Sequence, residues 1–313
     1  LGPAIPPLPP LARSENWDQE TDSVAAFGQL RWHVSDKVSM LFGARYSYEE
    51  KSFEFDRYYT AYDSSTIMDV SRFPPGAQAG LFGKLGPLIT RSDSASNRDE
   101  NKLTGSFTVQ YQPTDQHMMY YTASQGHKTG GFDDRVISLS DIGFDEETSL
   151  MHEIGAKTSW LDGRMNFNIA AFHIAFEDLQ VSSFQPDAFA FLTSNAGEAS
   201  SKGIEADLMF QVTDTWTLGG SLGLLDAKYD RFNTAPCTRD QSDGNTAGCV
   251  GGVQDLGGQV LQFAPDYKGN VYSQFTTVVD SGWLLNARVE ANFSGSYFTD
   301  LDLDPHFQQE SYL

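Results

Sequence analysis

From Val24 onward the apolar residues fall on every second position. Val24, Ala26, Gly28, Leu30, Trp32 and Val34 alternate with polar residues that include Gln29, Arg31 and His33. Ser35-Asp36-Lys37 interrupts the pattern. It resumes with Val38, Met40, Phe42, Ala44, Tyr46 and Tyr48 against Ser39, Arg45, Ser47 and Glu49. A period of two is the signature of a strand with one apolar and one polar face, so the stretch predicts strand, turn, strand. Leu103, Gly105, Phe107, Val109 and Tyr111 repeat the pattern most cleanly, and after Pro113-Thr114-Asp115 a return strand runs over 117–125. Further strands are predicted over 150–161, 165–181, 203–212, 216–229, 267–279 and 283–299. Their connections are Asp162-Gly163, a strong hairpin signal, Thr213-Asp214-Thr215 and Asp280-Ser281-Gly282.

The count is about ten strands in five hairpins. Short turns alternate with long polar stretches, the longest expected to be irregular over 51–98, another over 126–148. Soluble sandwiches do not segregate all long loops to one end. Bacterial outer-membrane barrels do, with short turns toward the periplasm and long loops outside. The expected fold is therefore all-β, an antiparallel transmembrane β-barrel with its apolar stripe toward lipid and its polar stripe toward the lumen. Closure is also the way a sheet satisfies its edges in lipid.

Composition narrows the classes. The formal net charge is -21 over 313 residues, which argues against a phosphate-binding, nucleic-acid partner. No run of eighteen apolar residues exists to form a transmembrane helix, but barrel strands need only about ten residues each. Aromatics reach 13%, with 22 Phe and 13 Tyr, as interfacial girdles require. Residues 1–10 carry five prolines and no basic, apolar leader, so residues 1–21 are expected as an extended Pro-rich segment or extracellular loop and 22–313 as part of a barrel. Cys237 and Cys249 flank a Gly/Asp/Ser/Asn-rich loop. A loop-closing disulfide in an oxidising compartment is the reading preferred over two free thiols, and a zinc site lacks a second Cys/His pair.

Several blocks resemble the C-terminal barrel half of TonB-dependent outer-membrane receptors. Tyr120-Tyr121-Thr122-Ala123-Ser124-Gln125-Gly126-His127-Lys128-Thr129-Gly130-Gly131-Phe132 is similar to a family run, with His127 in place of the usual aromatic. Glu147-Thr148-Ser149, Glu153-Ile154-Gly155-Ala156-Lys157, Leu161-Asp162-Gly163-Arg164 and Asn195-Ala196-Gly197-Glu198-Ala199 follow in the family's order. The resemblance implies a 22-stranded barrel in the outer membrane of a Gram-negative bacterium, acting as a monomer beside lipid and lipopolysaccharide. It implies an N-terminal plug that engages the TonB complex, and this chain carries neither plug nor TonB box. About three further strands are expected after residue 313. The implied function is energised uptake of a scarce bulky solute, above all a ferric siderophore. Cobalamin, haem and oligosaccharide are the family's other cargoes, and a passive porin or adhesin is the alternative.

Candidate ligand contacts sit in the long loops. Tyr58, Tyr59, Phe73 and Phe132 could stack on a ligand, and Arg91, His127, Lys128 and Arg135 could attract an anionic chelate. For any one of them, packing within a loop or a solvated charge is the plainer reading; as a set they mark the outer vestibule. Phe53, Phe55, Phe144 and Phe191 belong to the same aromatic set, and Arg98 to the same basic one. Glu153, Lys157, Glu205, Asp207, Arg288 and Glu290 are expected on the lumen face, in polar ladders or against a plug. No enzyme is argued. Gly219-Gly220-Ser221-Leu222-Gly223 fits a hydrolase pattern but lies mid-strand, where no nucleophile elbow forms. Asp300 to Asp304 starts like a calcium loop, but Pro305 and Ser311 stand where Gly and Glu are needed. The six histidines show no metal-ligand spacing, and no resident cofactor or metal is expected.

Overall fold

The computed structural model describes residues 11–61, 92–133, 142–185, 190–244 and 248–313. Ten strands form one sheet: β1 (Leu11–Ser35), β2 (Val38–Ala61), β3 (Ser92–Thr114), β4 (His117–Lys128), β5 (Glu147–Trp160), β6 (Met165–Glu177), β7 (Glu198–Gln211), β8 (Trp216–Arg231), β9 (Tyr267–Val278) and β10 (Leu284–Ser294). Each strand pairs antiparallel with its neighbour in sequence, in the order β1 to β10.

The register aligns the apolar stripes. Trp32 faces Met40, Met40 faces Val109, Val109 faces Tyr121, Tyr121 faces Ile154, Ile154 faces Ala171, Ala171 faces Ile204, and Ile204 faces Leu224. This face is bare: Leu30, Leu103, Ile154 and Val289 are 62 to 76% exposed. A continuous apolar surface of this size is stable only against hydrocarbon or a partner surface, and a barrel exterior meets lipid. Trp32, Trp160, Trp216 and Trp283 share the same face, and all lie within four residues of a short turn. They mark the periplasmic aromatic girdle.

The short turns are 36–37, 115–116, 161–164, 212–215 and 279–283. The Asp162-Gly163 hairpin is wider than two residues: Leu161, Asp162 and Gly163 all adopt positive φ, and Trp160 pairs with Met165 across a four-residue loop. Gly163, at φ 89°, holds a conformation that L side chains rarely adopt.

Two expectations change. Residues 51–61 and 92–98 are ladder, not irregular segment, and β1 starts at Leu11 rather than near residue 22. β1, β2 and β3 are 25, 24 and 23 residues long, about 80 Å at 3.4 Å per residue. The apolar band needs only about ten residues of each. Their remainder stands above the membrane with no lipid on the outer side, so the long run of hydrophobic alternation that signals a membrane strand is not sustained there. At the far end, Tyr312 exchanges both backbone hydrogen bonds with Ser294 at 3.1 Å, the position a strand next to β10 would take.

Candidate functional site

The upper parts of β1–β3 form a wall, and its inner face carries Lys51, Phe53 and Phe55 from β2 with Arg98, Glu100 and Lys102 from β3. Two loop segments, 128–133 and 142–147, fold down onto it, tied together by a short ladder of Gly131-Phe132 with Gly143-Phe144. Phe53, Phe55 and Ile142 are buried, with Phe132 and Leu192 packed against them. The Phe53 ring lies 6.2 Å from Phe55 and 5.4 Å from Phe132. Because the main sheet is a single layer, apolar cores form only where loops fold back on it, and each ring buried there contributes roughly 1.5–3 kcal/mol.

A polar latch surrounds this core. Arg98 pairs with Glu100 and Asp145 and donates to the Phe144 carbonyl at 3.0 Å. Lys102 pairs with Glu146. Lys51 donates to the Gly130 carbonyl at 2.7 Å and the Thr129 hydroxyl at 2.9 Å. The Gly130 N–H points at the Glu100 carboxylate, 3.2 Å away. Gln180 donates to the carbonyls of Thr129 and Asp145, both at 2.9 Å, and Asn195 to those of Asp145 and Asp178. The family-like block ending in Gly130-Gly131-Phe132 thereby acquires a physical reason. A Cβ on Gly130 would lie 2.5 Å from the Arg98 guanidinium carbon, and one on Gly131 would lie 2.8 Å from the Phe144 ring.

The ligand candidates separate. His127 and Lys128 end β4, opposite Thr148 and Glu147, and line a cavity of about 600 Å³ with Glu49, Glu100 and Lys102. Phe132 packs in the loop core. Tyr58 and Tyr59 lie in β2, in register with Ser14 and Arg13, an addition to the ladder where a loop was expected. Phe73, Arg91 and Arg135 lie outside the described residues. Lys51, Glu100, Lys102, Glu146, Gln180 and Asn195 were not singled out as ligand candidates from the sequence. Lys102 was visible only as part of the polar stripe of β3, and Asn195 only as part of a family-like block. Glu100, His127 and Glu146 bring three donor atoms within 4.8 Å of one another, the one such group among the described residues.

A second loop core lies beside β6–β10. Tyr229, Phe232, Ala235, Leu256 and Leu301 are buried in it with Val181, Ala196 and Ala199. Cys237 and Cys249 are bonded at 2.04 Å within the loop that supplies Phe232 to Leu256. Gln254 donates to the carbonyls of Pro236 and Asp302. Asp302 is pushed up to about 6 by burial and by the charges of Asp300 and Asp304. Burial also opposes the charge on Asp304, but hydrogen bonds from the His306 backbone and ring hold it below the usual carboxylate range. The same contact, with the charges of Asp304 and Asp240, raises His306.

Below the loops the inner face of the sheet is polar. Tyr120 donates to Glu153 at 2.7 Å, Asn168 to Asp207 at 2.9 Å and Asn270 to Glu290 at 3.3 Å. Arg288 pairs with Glu290 and lies 3.8 Å over the Tyr272 ring. A concavity of about 560 Å³ there includes Lys157, Glu205, Asp207 and Lys268. Tyr120–Glu153, Asn168–Asp207 and Asn270–Glu290 are cross-strand pairs, whereas Arg288–Glu290 lies along one strand.

A single-layer antiparallel sheet with a bare apolar exterior, a polar interior and loops docked over one end is the wall of an outer-membrane receptor barrel. Residues 2–313 match the family described as TonB dependent receptor-like, beta-barrel; the chain belongs to that family, whose members are outer-membrane β-barrels of Gram-negative bacteria. It is 26% identical over 225 residues to the metal-pseudopaline receptor CntO of Pseudomonas aeruginosa, covering 72% of this chain and 27% of that protein. It is 26% identical to the pesticin receptor of Yersinia enterocolitica, covering 68% of this chain and 27% of that protein. Its fold is similar to the crystal structure of the ferric yersiniabactin uptake receptor FyuA from Yersinia pestis, with TM-score 0.66, 19% identity, and coverage of 96% of this chain and 38% of that one. The chain thus spans little more than a quarter of the length of the curated relatives it matches.

Proposed function

We propose that this chain is barrel wall and outer vestibule of a receptor that imports a metal chelate, foremost a ferric siderophore, with energy delivered through TonB. The observation that carries the reading is the family match over residues 2–313 joined to loops latched over the inner wall by Arg98, Lys51 and Lys102. The printed roles of the relatives, a metal-pseudopaline receptor and a ferric yersiniabactin uptake receptor, point to the same solute class. The TonB contact would be made by a plug domain.

The test is uptake of radioactive iron presented as a panel of chelates, in cells with and without the gene and with and without TonB. Uptake of one chelate that needs both supports the reading. Uptake that needs the gene and ignores TonB leaves a passive barrel. Gene-dependent uptake of cobalamin, haem or an oligosaccharide in place of every iron chelate reassigns the cargo.

A further inference from the structure

The geometry points to a second chemistry on the vestibule wall: we propose that Glu100, His127 and Glu146 form a binding site for a divalent transition-metal ion. The inference deepens the receptor reading and rests on it only for what the bound ion serves.

The three residues come from separate parts of the chain. Glu100 is on β3, His127 is the second-last residue of β4, and Glu146 immediately precedes β5. Their donor atoms nevertheless lie within 4.8 Å of one another, and all three side chains are half-buried. Donors about 2.1 Å from a tetrahedral metal lie about 3.4 Å apart, so side-chain rotations that bring these atoms closer by up to about 1.4 Å close the set on an ion. One imidazole with two carboxylates is a mixed donor set. The imidazole favours zinc, nickel, cobalt or copper over calcium or magnesium, which take oxygen-only shells.

The surroundings are those of ligands already held in place. The Glu100 carboxylate accepts the Gly130 N–H at 3.2 and 3.3 Å on its two oxygens and pairs with Arg98. Lys102 holds Glu146 through one oxygen, Oε1. Hydrogen-bonded partners of this kind orient metal ligands and are part of a working site. A carboxylate has lone pairs enough for such a partner and a metal together. Arg98 and Lys102 also repel a cation, so affinity is set below that of a closed structural site. The cavity of about 600 Å³ lined by Glu100, His127 and Lys128 leaves coordination positions for water or for a donor atom of an arriving chelate. Three protein ligands with an open position is the arrangement of sites that exchange ligands.

The experiment titrates the full-length receptor in detergent with cobalt(II), read by visible absorption, and with zinc, read by calorimetry. The expected result is one ion per chain, unaffected by millimolar calcium, with affinity at least tenfold lower in His127→Ala and in Glu146→Gln. His127→Asn serves as a second variant, and a shift in gel mobility between heated and unheated samples verifies a folded barrel. No binding, binding abolished by calcium, or unchanged affinity in the folded His127 variants overturns the proposal. TonB-dependent chelate uptake is measured separately, so the site can fall while the receptor reading stands, and the reverse.

Discussion

Single residues decide how the loops sit on the wall. Gly130 has no room for a side chain between Arg98 and Phe144, and overpacking of a fitted contact costs about 1–3 kcal/mol. Gly130→Val is therefore expected to free segments 128–133 and 142–147 while the barrel stays intact, seen as faster proteolysis in those segments at unchanged barrel mobility on gels. Phe53→Ala removes a buried ring from the same core, and the usual cost of about 3–5 kcal/mol falls on local opening, read by hydrogen exchange. In the second loop core the groups around Asp302 set a pH dependence. Asp302 binds its proton more tightly when docked, so its contribution falls as pH rises from the ordinary 3.8 to about 6. His306 is raised by Asp304, so its contribution is complete below 6.5 and fades above its docked value. Asp304 works the other way, but only below 3.8. Exchange protection of 296–309 is expected to be higher at pH 5 than at pH 8, and Asp302→Asn to remove the part of the slope between pH 4 and 6.

The strands within the membrane band were legible because lipid on one side and water on the other impose a two-residue period. Ile154, six residues above Trp160, is about 20 Å along its strand, near the middle of a band about 25 Å tall crossed at about 45°. Ile154→Arg is expected to cost about 2–4 kcal/mol in a urea titration of the barrel in lipid, whereas Ser221→Arg, on the lumen face beside Asn270, costs far less. Outside the band the period vanished and with it the signal. Phe53-Glu54-Phe55 still alternates, but over one turn of pattern only, amid Glu49, Glu50, Asp56 and Arg57, and the segment looked like loop. The loop contacts were less legible again. Glu100 and Glu146 are 46 positions apart and meet because the 142–147 segment folds back onto β3, which no spacing motif encodes. Aromatic content located the vestibule but did not separate Phe132, packed against Phe53, from a ring free to meet a ligand.

At the scale of the whole molecule, the four tryptophans beside the short turns define one membrane level. Brominated lipids should quench Trp32, Trp160, Trp216 and Trp283 with the same shallow depth profile. Trp17, paired with Phe55 high on the wall, should escape quenching. A Trp17 signal quenched like the others would mean that the wall lies in the bilayer. The strand order has a consequence for how such a wall is made. Since every strand in the sheet bonds only to those next to it in sequence, construction can proceed hairpin by hairpin, each addition closing a short chain loop at small entropic cost. A half-built sheet and a nearly finished one then present the same liability, two raw edges. The hazard of assembly is constant in size until the final seam removes it.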